Sequence, residues 1–325
     1  MKKLVVLSIA LAFVVIVLGA YARLTDAGLG CPDWPGCYGH LSFAKTTENI
    51  ETAQQAFPDR PFEEHKAWNE MIHRYFASGL GFVILIIFVA SSLKRAEHAP
   101  VKLPFFLLCL VCFQGALGMW TVTLNLLPVV VMGHLLGGFT LLSCLFLLYL
   151  KLSPYRIPGG DHRLREFRKF TILGLFIVTV QIALGGWTSA NYAALACTEL
   201  PICEPGWLGR LDFLGAFSVP DVENYEYGAH DYNERVTMHI LHRAGALITF
   251  LYLCWLGVRL FALSNSKLIK RLSVVMVLIL GVQVILGVSN VVFSLPVVIA
   301  VMHNAMAACL LLSLVAIAYT LYRKI

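Results

Sequence analysis

The stretch "CPDWPGC", Cys31 to Cys37, follows the first apolar run of the chain. It returns in outline as "CTELPIC", Cys197 to Cys203, with the same cysteine spacing and a proline in the same place. The offset, 197 − 31, is 166 residues. Working outward, Gly19 precedes the first loop by 12 residues and Gly185 precedes the second by 12. Further along, the offset becomes 169: "EMIHR" (70–74) pairs with "HILHR" (239–243), Gln114 with Gln283, and His134 with His303. "LPVVV" at 127 and "LPVVI" at 295 differ by 168, which implies a one-residue insertion or deletion ahead of the histidine. The chain therefore reads as two copies of one unit.

Composition says where that unit resides. Of 325 residues, 58% are hydrophobic and 14% charged, whereas a soluble domain carries about 25% charged residues. Runs of about 20 apolar residues mark membrane-spanning helices. Eight occur, at roughly 4–22, 74–93, 103–122, 128–150, 170–190, 236–258, 273–292 and 296–321. The expected fold is an all-α polytopic membrane protein, its eight transmembrane helices arranged as two pseudo-symmetric four-helix bundles. An even number of helices per unit gives both halves the same topology, related by an axis along the membrane normal. The expected division is an N-terminal bundle at 1–150, a basic linker with Pro and Gly at 151–169, and a C-terminal bundle at 170–325.

With loops assigned alternately, 17 of the 25 Lys and Arg residues fall on the side of the N-terminus. The excess of basic residues on inner loops then places both termini in the cytoplasm. The net charge of +6 belongs to that face and says nothing about nucleic acid; the expected surroundings are membrane lipid, with no nucleic acid partner. "MKK", the apolar run and "AYA" (20–22) also fit a cleavable signal peptide. Cleavage, however, would remove an element that the repeat requires.

Five of the ten histidines lie in the expected helices: His73, His134, His239, His242 and His303. Ionisable groups inside a membrane are costly and mark function by default. An interhelical hydrogen bond is the plain alternative for one such residue, but not for a set repeated in register. His73 and His134, and likewise His242 and His303, are expected about six or seven residues into their helices, roughly 9–10 Å deep. Two imidazoles facing each other across a bundle core can ligate a haem iron axially. A zinc site wants three or four close ligands. Arg74 and Arg243 follow their histidines; each can reach a carboxylate such as a haem propionate or snorkel to the interface.

Three residues before the histidine the halves differ: Glu70 stands in the first and His239 in the second. Residues three apart share a helix face. A carboxylate beside such a site suits proton transfer or stabilisation of a cationic intermediate; the alternative is an interfacial carboxylate paired with Arg74. The asymmetry suggests chemistry in the N-terminal half and a resident electron-transfer haem in the C-terminal half.

Of nine cysteines, Cys109, Cys112, Cys144, Cys254 and Cys309 lie in apolar runs as small hydrophobes. The other four face the side where disulfides persist, and are expected as Cys31–Cys37 and Cys197–Cys203 bonds. Each bond either stiffens a lid over a haem mouth or exchanges electrons. The polar stretches 43–68 and 214–236 receive no chemical role.

Taken together, "GAYARLTDAGLGCPDWPGCYG" (19–39), Glu-x-x-His-Arg at 70–74, His134, His242–Arg243, His303 and both cysteine pairs resemble the haem A synthase family. The resemblance spans all eight helices. It implies an oxidoreductase that converts the C8 methyl of haem O to the formyl group of haem A for terminal oxidase assembly, by successive hydroxylations. It also implies His73 and His134 as axial to the substrate haem, Glu70 as catalytic, and His242 and His303 as axial to a haem b cofactor. His239, Arg74 and Arg243 would be supporting or propionate-binding residues. Expected partners are a haem O synthase, oxidase assembly factors and an unspecified electron donor. The expected location is a bacterial plasma membrane, with the cysteine loops outside. Two other readings stand beside this one: a bis-histidine b-type cytochrome, and a quinone-linked thiol oxidoreductase built on the cysteine pairs. A transporter is a third, although no discontinuous helices are evident.

Overall fold

The structure is a computed structural model that describes residues 1–40, 47–58, 60–94, 99–153 and 162–323. Its helices are α1 (Lys2–Leu24), α2 (Thr47–Ala56), α3 (Glu64–Leu93), α4 (Lys102–Thr123), α5 (Pro128–Lys151), α6 (Phe167–Ala190), α7 (Tyr232–Leu263), α8 (Lys267–Val292) and α9 (Val297–Arg323). Among the described residues there is no strand, only an isolated bridge between Cys37 and His40. Part of the expected linker, 154–161, lies outside the described residues.

All but α2 are long and apolar enough to cross a membrane, at 22 to 32 residues. In hydrocarbon every backbone N–H and C=O must be bonded within the segment, and a continuous helix does this. Large apolar side chains also point away from the protein: Phe82 and Phe176 are each 64% exposed. Such surface is sheltered only by lipid. The chain is a multi-pass membrane protein.

α3 begins ten residues before the apolar run at 74, and α7 begins four before the run at 236. Hydropathy ends a run at the first charges, but the helix continues through them. On α7 the reason is a reciprocal cap: Asp231 accepts from the Glu234 N–H at 2.9 Å, and Glu234 accepts from the Asp231 N–H at 3.0 Å. The added turns of α3 carry Glu70, and His239 stands three residues inside the run at 236.

The duplication is written into the backbone. α1 closes with Ala27 N–H donating to Ala22 O (2.8 Å), and α6 with Ala193 to Thr188 (2.9 Å). α4 closes with Leu126 to Thr121 (2.8 Å), and α8 with Leu295 to Asn290 (2.7 Å). Such bonds from beyond the last turn satisfy orphan carbonyls and require a left-handed residue. Those residues also match: Asp26 with Tyr192 (φ 51° and 53°), and Leu126 with Leu295 (φ 62° in both). The 169-residue register therefore holds through this turn, and α5 and α9 start in step at Pro128 and Val297. The expected one-residue insertion is absent. "LPVVV" and "LPVVI" are alike as strings but sit one residue out of structural register.

α1 lies against α3 and α5, and α4 against the same two; α6 lies against α7 and α9, and α8 against those two. Between these groups α1 meets α9, α5 meets α6, and α5 meets α9. One apolar core runs through both, from Ile84, Leu107 and Leu145 to Leu253, Met276 and Leu314. At the end carrying the long loops the groups are tied by polar contacts. Arg23 Nη2 donates to Ser189 O at 2.6 Å, its guanidinium lies 3.9 Å from the Tyr192 ring centroid, and Tyr192 Oη donates to Asp26 Oδ1 at 3.0 Å. Arg23 and Ser189, like Asp26 and Tyr192, are 166 apart, so equivalent positions meet each other. Arg23→Ala removes a charged hydrogen bond and a cation–π contact. It is expected to destabilise the protein by about 2–3 kcal/mol, read as a lower denaturation midpoint in detergent.

Candidate functional site

Each cysteine loop folds onto the extended first turns of its helix. Cys31 and Cys37 are disulfide-bonded with Cα atoms 4.8 Å apart, and Cys197 and Cys203 with Cα atoms 5.1 Å apart. Inside the first loop, Asp33 accepts the Tyr38 N–H at 2.6 Å and the Gly39 N–H at 2.9 Å. Inside the second, Glu204 accepts the Thr198 N–H at 2.9 Å and its hydroxyl at 2.8 Å. These bonds to Thr198 hold the Glu204 carboxyl down to about 2. The contribution is therefore full above the ordinary carboxylate range and is lost progressively as pH falls from that range through about 2.

Two residues of α3 latch the first loop. Glu70 is buried, and its Oε2 accepts the Cys31 N–H at 2.8 Å. Its Oε1 pairs with Arg74, one turn on. Arg74 donates to three loop carbonyls, those of Asp33 (3.0 Å), Pro35 (3.3 Å) and Gly36. Arg74 is thus committed to the loop and to Glu70. On α7 the pattern returns with an imidazole in place of the carboxylate. Cys197 N–H meets His239 Nδ1 at 3.3 Å, and Arg243 Nε meets His239 Nε2 at 3.2 Å. Arg243 also donates to Glu199 O and Cys197 O, both at 2.8 Å. A carboxylate accepts from both donors at once, whereas a neutral imidazole has a single lone pair. The second latch is therefore the weaker one.

Below the latches lie the histidines. His73 on α3 and His134 on α5 face each other with ring centroids 6.3 Å apart and planes at 76°. His242 on α7 has His303, His239 and Arg243 as electrostatic neighbours. Each of the four rings lies against a glycine of the adjoining helix. A Cβ on Gly19 would come within 3.0 Å of His73 Cε1, on Gly118 within 3.5 Å of His134, on Gly185 within 2.9 Å of His242, and on Gly287 within 3.1 Å of His303. Any side chain at Gly19 or Gly185 would displace the ring.

Nδ1 of His73, His134 and His303 is buried without a partner, while each of these residues keeps some accessible surface. Two imidazoles sharing one metal need two bonds of about 2.0–2.1 Å plus the depth of both rings, and the 6.3 Å separation suits that. The residues fit an axially ligated haem iron. A cluster of Cys197, Cys203 and Glu204 also stands close together, but the disulfide consumes both thiolates and Thr198 occupies the carboxylate.

Sequence reading missed two features. The first is Gln181, whose Nε2 lies 3.0 Å from both His242 Nδ1 and His242 O. The register would have found it, because Gln181 stands opposite Val15. The second is the stretch 214–236, which crosses onto the other half. Asn125 accepts from Arg60 Nη2 at 2.6 Å and donates to Glu223 O at 2.8 Å, and its carbonyl accepts the Tyr225 N–H at 3.1 Å. Leu29, Leu126 and Tyr225 close a small apolar cluster there. A cleft of about 360 Å³ at Leu147, Lys151, Tyr319 and Tyr322 lies at the far end of the helices, away from the histidines.

Arg74→Gln leaves a buried carboxylate unpaired, at a cost of about 3–5 kcal/mol. Arg243→Gln removes only bonds to neutral acceptors, costing about 1–3 kcal/mol. Thermal unfolding in detergent is expected to rank Arg74→Gln clearly below Arg243→Gln.

A family model described as cytochrome oxidase assembly protein matches residues 2–315. A protein of Shewanella oneidensis named heme A synthase is 51% identical over 98% of this chain and 96% of its own length. Proteins with the same name from Chelativorans and Rickettsia prowazekii are 27% and 24% identical, over 92% and 98% of this chain and 84% and 96% of their own. The duplicated helices, the latched loops and the paired histidines therefore belong to a member of the haem A synthase family of cytochrome oxidase assembly proteins.

Proposed function

We propose that this chain oxidises haem O to haem A and divides the work between its halves. The N-terminal half, 1–150, takes the substrate haem between His73 and His134, with Glu70 as the catalytic carboxylate. The C-terminal half, 170–325, keeps a haem b between His242 and His303. The stretch 151–169 links them. The observation that carries this division is the exchange of Glu70 for His239 within otherwise matching latches.

The residues supply what a methyl group does not offer. A methyl C–H bond gives side chains nothing to hold, so the porphyrin must be fixed and a proton acceptor set beside it. His73 and His134 fix the porphyrin through its iron. Glu70 is pinned at both oxygens, by Cys31 N–H and Arg74, so its position does not depend on the substrate. From there it orients water or accepts protons as two C–H bonds give way to C–OH and one water leaves, the four electrons given up by the carbon passing to an oxidant from outside this chain. Resident haem b supplies one-electron chemistry when bound. The latched disulfide loops cover both mouths. Arg74 and Arg243 hold those loops instead of reaching for propionates, and His239 is the second loop's acceptor.

The positive-inside pattern supports a bacterial plasma membrane with both termini in the cytoplasm and the loops outside. A haem O synthase, oxidase assembly factors and an electron donor complete the expected partners.

Glu70→Gln keeps the shape and the bond to Cys31 but removes the charge. Acid extraction and chromatography of the purified variant are expected to return haem B and haem O with haem A lost. Haem A at the wild-type level would remove Glu70 from the chemistry. Haem B alone in the wild-type protein would favour the b-type cytochrome instead.

A further inference from the structure

The four glycines that cradle the histidines share a second feature. Four residues before each glycine, one turn along the same helix face, stand Val15, Gln114, Gln181 and Gln283. Three cradles carry an amide, and the fourth, facing His73, carries an isopropyl group. In the C-terminal half both amides reach their histidines: Gln181 Nε2 lies 3.0 Å from His242 Nδ1, and Gln283 Nε2 lies 3.2 Å from His303 Nε2. In the N-terminal half no side chain holds either ring: His73 Nδ1, His134 Nδ1 and Gln114 Nε2 are all buried without a partner, as is Nδ1 of His303, which its amide meets at the other nitrogen. The two sites thus share their ligands and differ in what supports them.

We propose that Gln181 makes the C-terminal half the site that retains its porphyrin, and that Val15, at the matching position, makes the N-terminal half the site that releases it. The inference rests on the reading that His242 and His73 are iron ligands. An imidazole that gives one nitrogen's lone pair to a metal carries its proton on the other nitrogen. An acceptor for that proton fixes the ring and raises its basicity. Gln181 has such an acceptor in reserve, because its Oε1 is buried and unpartnered. Turning the amide over offers Oε1 to the His242 Nδ1–H, at the cost of its bond to the His242 carbonyl. Gln283 Oε1 is likewise buried and free for His303. Val15 has no side-chain acceptor to offer His73; only its backbone carbonyl stands near the ring, and His73 Nδ1 makes no hydrogen bond to it. A ring without that support ligates more weakly and lets go sooner. An enzyme whose substrate and product are both porphyrins needs one site of each kind.

The test compares Gln181→Val, Gln181→Glu, Val15→Gln and His242→Ala in the purified full chain. It follows haem B loss to a haem-scavenging apoprotein, and the haem b midpoint potential. Loss of such supporting partners typically weakens metal binding about 10–100-fold. Gln181→Val is expected to lose haem B faster by that factor. Gln181→Glu, which keeps an acceptor, is expected to retain haem B with a lowered midpoint. Val15→Gln is expected to slow haem O and haem A loss. Haem B loss from Gln181→Val within twofold of wild type overturns the inference, as does equal loss from Gln181→Val and Gln181→Glu. His242→Ala separates the two levels. If it sheds haem B while Gln181→Val does not, only the role of Gln181 fails. If it too keeps haem B, the ligand reading fails with it.

Discussion

An imidazole can press its Cε1 edge tightly onto a neighbouring helix only where that helix has no Cβ. In this protein three rings do so, against Gly19, Gly185 and Gly287, at 2.9 to 3.1 Å from where a Cβ would stand, and His134 rests against Gly118 at an ordinary 3.5 Å. The constraint fixes the rest. It sets the spacing of α1 to α3, α4 to α5, α6 to α7, and α8 to α9. It also fixes the rotation of each helix, since the glycine must face the ring. With those set, the first turns of α3 and α7 carry Glu70 and His239 to the cysteine loops.

The repeat turns a single chain into its own comparison. Helix closures, left-handed turn residues, disulfides, arginines and glycines agree between the halves, so the disagreements stand out. Glu70 corresponds to His239, and Val15 corresponds to Gln181. Both differences fall within the surroundings of the histidines, and neither alters the fold. A carboxylate latch beside rings that no side chain holds suits turnover, and an imidazole latch beside amide-supported rings suits retention. The stretch around Glu223 and Tyr225 then bridges the halves by binding the Asn125 turn. The loop end is therefore one surface and not two.

Much of this was legible in the sequence, for a physical reason. Hydrocarbon forces long apolar runs, so the eight spans announce themselves, and an ionisable residue within them is conspicuous. The helix starts at Glu64 and Tyr232 were not legible, because their first turns are polar and project beyond the run. The partners of Arg74 and Arg243 were hidden because they are backbone carbonyls, which carry no residue identity. The contact between Asn125 and 223–225 was hidden for the same reason. The apparent shift between "LPVVV" and "LPVVI" misled because apolar strings resemble each other in any register. Gln181 was within reach. It required only that Val15 be set against it once the glycines had fixed the register.

The central claim is that two like sites hold two different haems. Removing each histidine pair in turn tests it most directly: His73→Ala with His134→Ala, and separately His242→Ala with His303→Ala. Each protein is purified and its haems are identified by acid extraction and chromatography. The account predicts that the first variant keeps haem B and loses haem O and haem A, while the second loses haem B. Loss of the same haem from both variants, or retention of haem B in the second, would contradict it.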